Sequence, residues 1–286
     1  MIELKPLDGP FGRAVHGLDI SGGVDGVTCR QLHEALYEHR VLVLKDQSCD
    51  EAAFLEFGRQ WGAPIPHVLD NHRMPGFPEL LQIGNMSERA KDRLIRNNAA
   101  FWHTDQSYDA NPATATMLYA RIVPDVGGET RIVNMGAAYQ GLDGDTKQRI
   151  DALTAMHLYG ATAGRDGEEP TAKLTGSQAA SVPPTPHPLV RPHSVTGERA
   201  LYGVAGTAYG IEGMADDQAE ELIAGLKAHC LQDQYIYEHK YSVGDIAIWD
   251  TQMTLHSAKP IDLPSGPGTE RLLWRISVRG NPAIYQ

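Results

Sequence analysis

Residues 114–135, TATMLYARIVPDVGGETRIVNM, hold two short apolar runs divided by Pro124 and the pair Gly127 and Gly128. Proline and paired glycine interrupt regular structure, so runs of this length between them read as strands joined by a turn. The same texture recurs in QYIYEHKYSV (234–243), DIAIWD (245–250) and RLLWRISVRG (271–280), the first two joined around Gly244 and Asp245. Upstream, Thr28 and Gln31 are spaced as a capping box, and Leu32 and Leu36 continue at helical spacing. VLVLK at 41–45 is a short buried strand. Asp50 caps a second helix, whose Phe54, Phe57 and Trp61 share a core-facing side before Gly62 stops it. Helical pattern returns at 145–156 and 216–229. The expected fold is β-rich α+β, a β core with peripheral helices.

The chain has 286 residues and no repeat or separating linker, so one domain over 1–286 is expected. Hydrophobic residues at 42% and charged residues at 21% suffice for a packed core. The start, MIELKPLDGPFG, has neither a basic beginning nor an apolar run, and no stretch is apolar for long enough to span a bilayer, which predicts a cytoplasmic protein without membrane contact. Cys29, Cys49 and Cys230 are scattered and odd in number, against a disulfide framework or thiolate zinc. A net charge of −11 disfavours nucleic acid as a partner and requires any anionic ligand to be drawn by particular cations. A small-molecule substrate and a homo-oligomer are expected. The segment from Gly160 to Pro192, rich in Gly, Pro, Ser and Thr, reads either as an active-site lid or as a surface insertion.

FWHTDQSYD (101–109) places His103 and Asp105 two positions apart, which on a strand would aim an imidazole and a carboxylate at one point. His256, in WDTQMTLHSAKP (249–260), is the best third ligand among the remaining histidines. Two histidines and a carboxylate on one face of a metal leave three positions open, the arrangement of non-haem iron oxygenases. An HxD pair alone is a weak pattern. RLLWRISVRG strengthens it, because period two puts Arg271, Arg275 and Arg279 on one face and Leu272, Trp274, Ile276 and Val278 on the other. Such a face is either a solvated edge or a set of guanidinium groups for carboxylates, which they bind in planar bidentate pairs.

Over nearly its whole length the chain resembles the taurine/2-oxoglutarate dioxygenase (TauD/TfdA) family, which includes the 2,4-dichlorophenoxyacetate dioxygenases. The likeness is carried by GRAVHGLDIS (12–21), LYEHRVLVLKDQ (36–47), FLEFGRQWGAP (54–64), FWHTDQSY (101–108) and PDVGGETRIVNMGAAYQGL (124–142). It continues in HPLVRPHSVTGERALY (187–202), VGDIAIWDTQMTLHSA (243–258) and ERLLWRISV (270–278). The resemblance implies a double-stranded β-helix, or jelly-roll, with His103, Asp105 and His256 as Fe(II) ligands. It also implies that Arg271, helped by Thr130, holds the distal carboxylate of 2-oxoglutarate, and that Arg275 faces the substrate's acid group or the cosubstrate's inner carboxylate. His67, in PIPHV (64–68), stands where some members contact a sulfonate, and Asn85 is expected to border the pocket. The activity implied is oxidation by O2, with 2-oxoglutarate decarboxylated to succinate and CO2 and a small anionic molecule hydroxylated. Related iron halogenases replace the carboxylate ligand with a small residue, whereas Asp105 is present here. The stretch PIDLPSGPGTE (260–270) is longer than the family pattern, and residues 71–98 do not follow it, which leaves the substrate open. Three alternatives stand beside hydroxylation. One is the same chemistry ending in desaturation, epimerisation or ring closure in natural-product biosynthesis; the others are a catalytically silent jelly-roll binding a small acid and a zinc hydrolase.

Overall fold

The computed structural model describes residues 2–165 and 167–285. Its frame is a large sheet in which Ile246–Asp250 lies between Val41–Leu44 and Ala115–Ile122, and Ala115–Ile122 in turn pairs with Leu272–Arg279. Phe77–Gly84 continues the sheet beyond Leu272–Arg279, and Arg13–His16 extends the other side in parallel with Val41–Leu44. A second sheet sets Thr130–Asn134 between Ile236–His239 and Thr254–Ala258. Val41, Val43, Leu118, Ala247, Trp249 and Leu273 from the large sheet meet Ile132 and Tyr237 from the small one in a single buried cluster. The two sheets therefore face each other across a core, as expected of a jelly-roll, and strands covered on both sides read as continuous apolar runs such as VLVL.

Helices close both outer faces. Leu32, Leu36, Phe54, Phe57 and Trp61 pack on Trp274, Ile276 and Val278 outside the large sheet. Leu222 and Leu226 of the helix Asp216–Cys230 cover Val133 and Leu255 outside the small one. The side of Leu272–Arg279 that carries Trp274 and Ile276 thus meets the helices, and the arginine side faces inward.

Several boundaries differ from expectation. The first helix, Gly26–His39, is capped by Asp25, whose carboxylate accepts from Val27 N and Thr28 N, so Thr28 and Gln31 lie inside the helix and form no capping box. Asp50 caps Glu51–Arg59 as expected, but that helix ends before Trp61. The helical pattern over 145–156 breaks in two: Gly144–Ile150 is helical, while Thr154–His157 is a strand, held by pairing with Thr185–Pro188 and Ala208–Ile211. Ile236–His239 and Ile246–Asp250, though adjacent in the chain, enter different sheets, with Gly244 at φ 89° in the crossing. The segment 160–192 carries the helix Gly176–Ala180 and the strands Thr185–Pro188 and Val190–Pro192. The cysteines are free and buried, and no helix among the described residues is long and apolar enough to cross a membrane.

Candidate metal centre

His103 and His256 face each other across a lone antiparallel bridge, each backbone N–H donating to the other's carbonyl at 2.9 Å. His256 lies on Thr254–Ala258, but the HxD motif is not on a regular strand. After the single bridge at His103 the chain turns at once, Ser107 N donating to Thr104 O at 3.3 Å, and the turn rather than strand periodicity brings Asp105 back to the imidazoles. One donor atom from each of His103, Asp105 and His256 lies within 4.8 Å of the others. The gaps from Asp105 to His103 Nε2 and His256 Nε2, 3.7 and 3.6 Å, are too long for hydrogen bonds and suit three groups around one cation.

Protonation fits as well. His103 Nδ1 lies 2.8 Å from Phe101 O, which can only accept, so the ring proton sits on Nδ1 and Nε2 presents a lone pair. Burial, reinforced by neighbouring His103, lowers His256 to about 3, and burial also lowers His103, so both rings are neutral near pH 7. Burial would raise Asp105, but Arg275 first, then His256, His103 and the Thr116 hydroxyl, hold it far below the ordinary carboxyl range. Neutral imidazoles and an ionised carboxylate are the states in which these groups ligate a metal.

The carboxylate is held in a closed ring of hydrogen bonds. Arg275 Nη2 donates to Asp105 Oδ1 at 2.5 Å and to Ser277 Oγ at 2.8 Å. Thr116 Oγ1 gives its proton to Asp105 Oδ2 at 2.7 Å and so receives that of Ser277, 2.9 Å away. Neither Thr116 nor Ser277 was anticipated; the available signal was a threonine at a fully buried position of an apolar strand, where a hydroxyl needs a partner. Thr116→Val is expected to weaken Fe(II) binding about 10–100-fold, the usual effect of losing a group that orients a ligand. Anaerobic titration with Fe(II) checks this, and unchanged affinity would refute the role.

Two clefts meet at Arg275 and His67. The first is lined by Arg89, Arg96, Lys259, Arg271 and Arg275, with His67 and His72, and no carboxylate is among its lining residues. The second is lined by His103, Asp105, Gln106, Tyr108, Tyr159 and Thr171. His67 Nδ1 accepts from Leu69 N at 3.1 Å, and burial, with Arg275 nearby, lowers the ring to about 3. It is therefore neutral with its proton on Nε2, a donor rather than a cation. Arg271 is buried beside Tyr241, whose hydroxyl lies 3.0 Å from Thr130 Oγ1.

Other expected residues fall elsewhere. The Asn85 amide is consumed by Arg271 N at 2.8 Å, Asp262 O at 2.9 Å and Thr269 O at 2.8 Å, so it fixes the backbone of Arg271 and of the long loop instead of offering a group to the cavity. Arg279 leaves the arginine row to donate to Asp109 at 3.1 Å. Trp249 packs against His256 with ring centroids 4.7 Å apart and the ring planes tilted by 49°, and Trp102 packs in the core outside the small sheet.

Comparison with known proteins agrees with this architecture. The model of the family described as "Taurine catabolism dioxygenase TauD, TfdA family" matches residues 3–277. The chain is 29% identical over 287 residues to the (S)-phenoxypropionate/alpha-ketoglutarate-dioxygenase of Sphingobium herbicidovorans, covering 98% of this chain and 96% of that protein. It is 30% identical over 300 residues to pentalenolactone F synthase of Streptomyces arenae, covering 99% and 97%. The structure of AAD-2 in complex with Mn(II) and N-oxalylglycine matches with a TM-score of 0.85 at 26% identity, covering 98% of each chain. A match that runs through sequence and fold alike makes this protein a member of the taurine catabolism dioxygenase TauD, TfdA family, and hence a dioxygenase that uses Fe(II), 2-oxoglutarate and O2.

Proposed function

We propose that His103, Asp105 and His256 hold the Fe(II), that Arg271 and Thr130 bind the distal carboxylate of 2-oxoglutarate, and that Arg275 and His67 receive the acid group of a small anionic substrate. Bound there, Fe(II) with 2-oxoglutarate and O2 supplies the oxidation of a substrate C–H bond, with succinate and CO2 as coproducts. The chain's own residues orient and exclude. The observation that carries the reading is the charge of the cleft: in a chain of net charge −11, five cationic side chains and no carboxylate line it. While Arg275 pairs with Asp105 and Lys259 with Glu238, Arg89, Arg96 and Arg271 have no carboxylate in ion-pair contact among the described residues. Such a lining selects anions locally against the overall repulsion. The name of the Sphingobium relative, a dioxygenase of a phenoxy acid, supports a carboxylate among the candidate substrates, alongside sulfonates and sulfate esters.

Residues 160–192 are assigned to covering the cavity. Tyr159, Gly160 and Thr171 line it, and Thr171 Oγ1 and Ala172 N both donate to Asn98 Oδ1, at 2.7 and 2.8 Å. The likeness to pentalenolactone F synthase supports a second outcome, desaturation, epimerisation or ring closure by the same cofactors, which analysis of the product separates from hydroxylation.

The test is anaerobic addition of Fe(II) and 2-oxoglutarate to the purified protein. A weak visible charge-transfer band is expected, shifting when a sulfonate, sulfate ester or aryloxy acid enters. Bound iron without a band would overturn the ligand assignment, and a band that no acid shifts would overturn the substrate class.

A further inference from the structure

We propose that Gln106 is a specificity-determining residue, whose side-chain amide recognises a hydroxyl or N–H group carried by the anionic substrate. Gln106 directly follows Asp105 and lines the same cavity as His103, Tyr108, Tyr159 and Arg275. It is 6% exposed, and its Oε1 is buried without a hydrogen-bond partner among the described residues. Buried amide oxygens are seldom left so, because the lost hydration is not recovered. The neighbouring Ser107 and Thr207 hydroxyls are already engaged. Ser107 Oγ donates to Thr104 O at 2.9 Å and lies 2.6 Å from Thr207 Oγ1, which in turn faces His157 Nδ1 at 2.9 Å.

The backbone turn fixes the position from which this side chain departs. Gln106 has φ 50°, the left-handed conformation, at the third position of the turn closed by Ser107 N and Thr104 O, and its own carbonyl accepts from Asp109 N at 2.8 Å. Glycine or asparagine is the low-cost residue at such a position. Glutamine bears the strain and places a long polar side chain beside a metal-ligand candidate, a combination found mainly at functional sites. Arg275 and His67 supply donors to this cavity, and Gln106 supplies the acceptor they lack. The ligand that satisfies all three is an anion bearing a hydrogen-bond donor, and an isostere with a methyl group in its place leaves Oε1 unpaired.

This inference rests on the cavity being the substrate's, as proposed above. It is tested by calorimetry on protein loaded with Mn(II) and 2-oxoglutarate, so that nothing turns over. Matched pairs serve as probes: 3-hydroxypropane-1-sulfonate against butane-1-sulfonate, and 3-hydroxyphenylacetate against 3-methylphenylacetate. In the wild type the hydroxyl member of at least one pair is expected to bind about tenfold tighter or more, the scale set by one unpaired buried polar group. Gln106→Leu is expected to bring that ratio near one while 2-oxoglutarate still binds, and Gln106→Gly, which relieves the turn, to do the same. Equal binding within both pairs by the wild type, or a ratio kept in both variants, overturns the role of Gln106 alone. Failure of every acid to bind the loaded wild type overturns the anionic-substrate reading, and this inference with it.

Discussion

Replacing Asp105 with alanine is expected to lower turnover on the order of a thousandfold or more, with Fe(II) affinity falling alongside it. Loss of a group that merely orients a ligand costs about 10–100-fold in affinity or activity, and loss of a ligand itself exceeds that. The substitution also strands a charge. Arg275 donates to Asp105 at 2.5 Å with both side chains largely buried, and breaking a buried pair from one side costs about 3–5 kcal/mol. The metal-free variant should therefore melt below the metal-free wild type, and added Fe(II) should fail to restore it. Asp105→Asn separates the two effects. It preserves volume and can still accept from Thr116, so its stability should exceed that of the alanine variant while iron binding stays weak. Anaerobic Fe(II) titration and thermal melts of the three proteins are the measurements. Iron affinity and turnover equal to wild type in Asp105→Ala would remove Asp105 from the ligand set.

How far the sequence alone led depends on the range over which each signal acts. Strands buried on both sides, such as VLVL and DIAIWD, were legible because burial forces apolar runs on them. The arginine row was legible because period two is a local property of a strand. His103 and Asp105 were found by a spacing argument that used the wrong local structure: the residues converge through a turn with Gln106 at φ 50°, and an HxD triplet does not distinguish turn from strand. Asn85 is expected at the pocket from the family resemblance alone. Its actual task, bonding to three backbone groups of 262–271, depends on contacts more than 170 residues away in the chain. The hydroxyls of Thr116 and Ser277 were invisible for the same reason: each gains meaning only from pairing between strands, where Ser277 is set opposite Thr116.

Arg271→Ala is expected to weaken 2-oxoglutarate binding by about a hundredfold or more while leaving Fe(II) affinity near that of wild type. Arg271 is 3% exposed, and among the described residues its side chain makes one hydrogen bond, from Nη2 to Gly128 O at 3.0 Å. Burial lowers its pKa without approaching neutrality of a guanidinium, and no described carboxylate lies within ion-pair distance. A buried cation whose charge is offset only at longer range, by Glu129, calls for an anion from outside, and truncating one partner of such a pair typically costs about 2–5 kcal/mol of binding. The backbone around it is prepared for this. Asn85 grips Arg271 N at 2.8 Å, and a Cβ on Gly84 would stand 2.0 Å from Arg271 O, so only glycine allows the neighbouring strand to come this close. A structural role and a binding role predict opposite melts. If Arg271 serves the fold, the metal-free alanine variant melts earlier. If it serves the cosubstrate, that variant holds its melting temperature, because removing an unpaired buried charge costs the empty protein little. What disappears is the rise in melting temperature that saturating 2-oxoglutarate gives the wild type through binding to the folded state. Arg271→Lys should fall between the two, since a single ammonium cannot reproduce the bidentate pair. Unchanged 2-oxoglutarate affinity in the alanine variant would exclude Arg271 as the carboxylate's partner and shift that role to Arg89, Arg96 or Lys259, which line the same cleft.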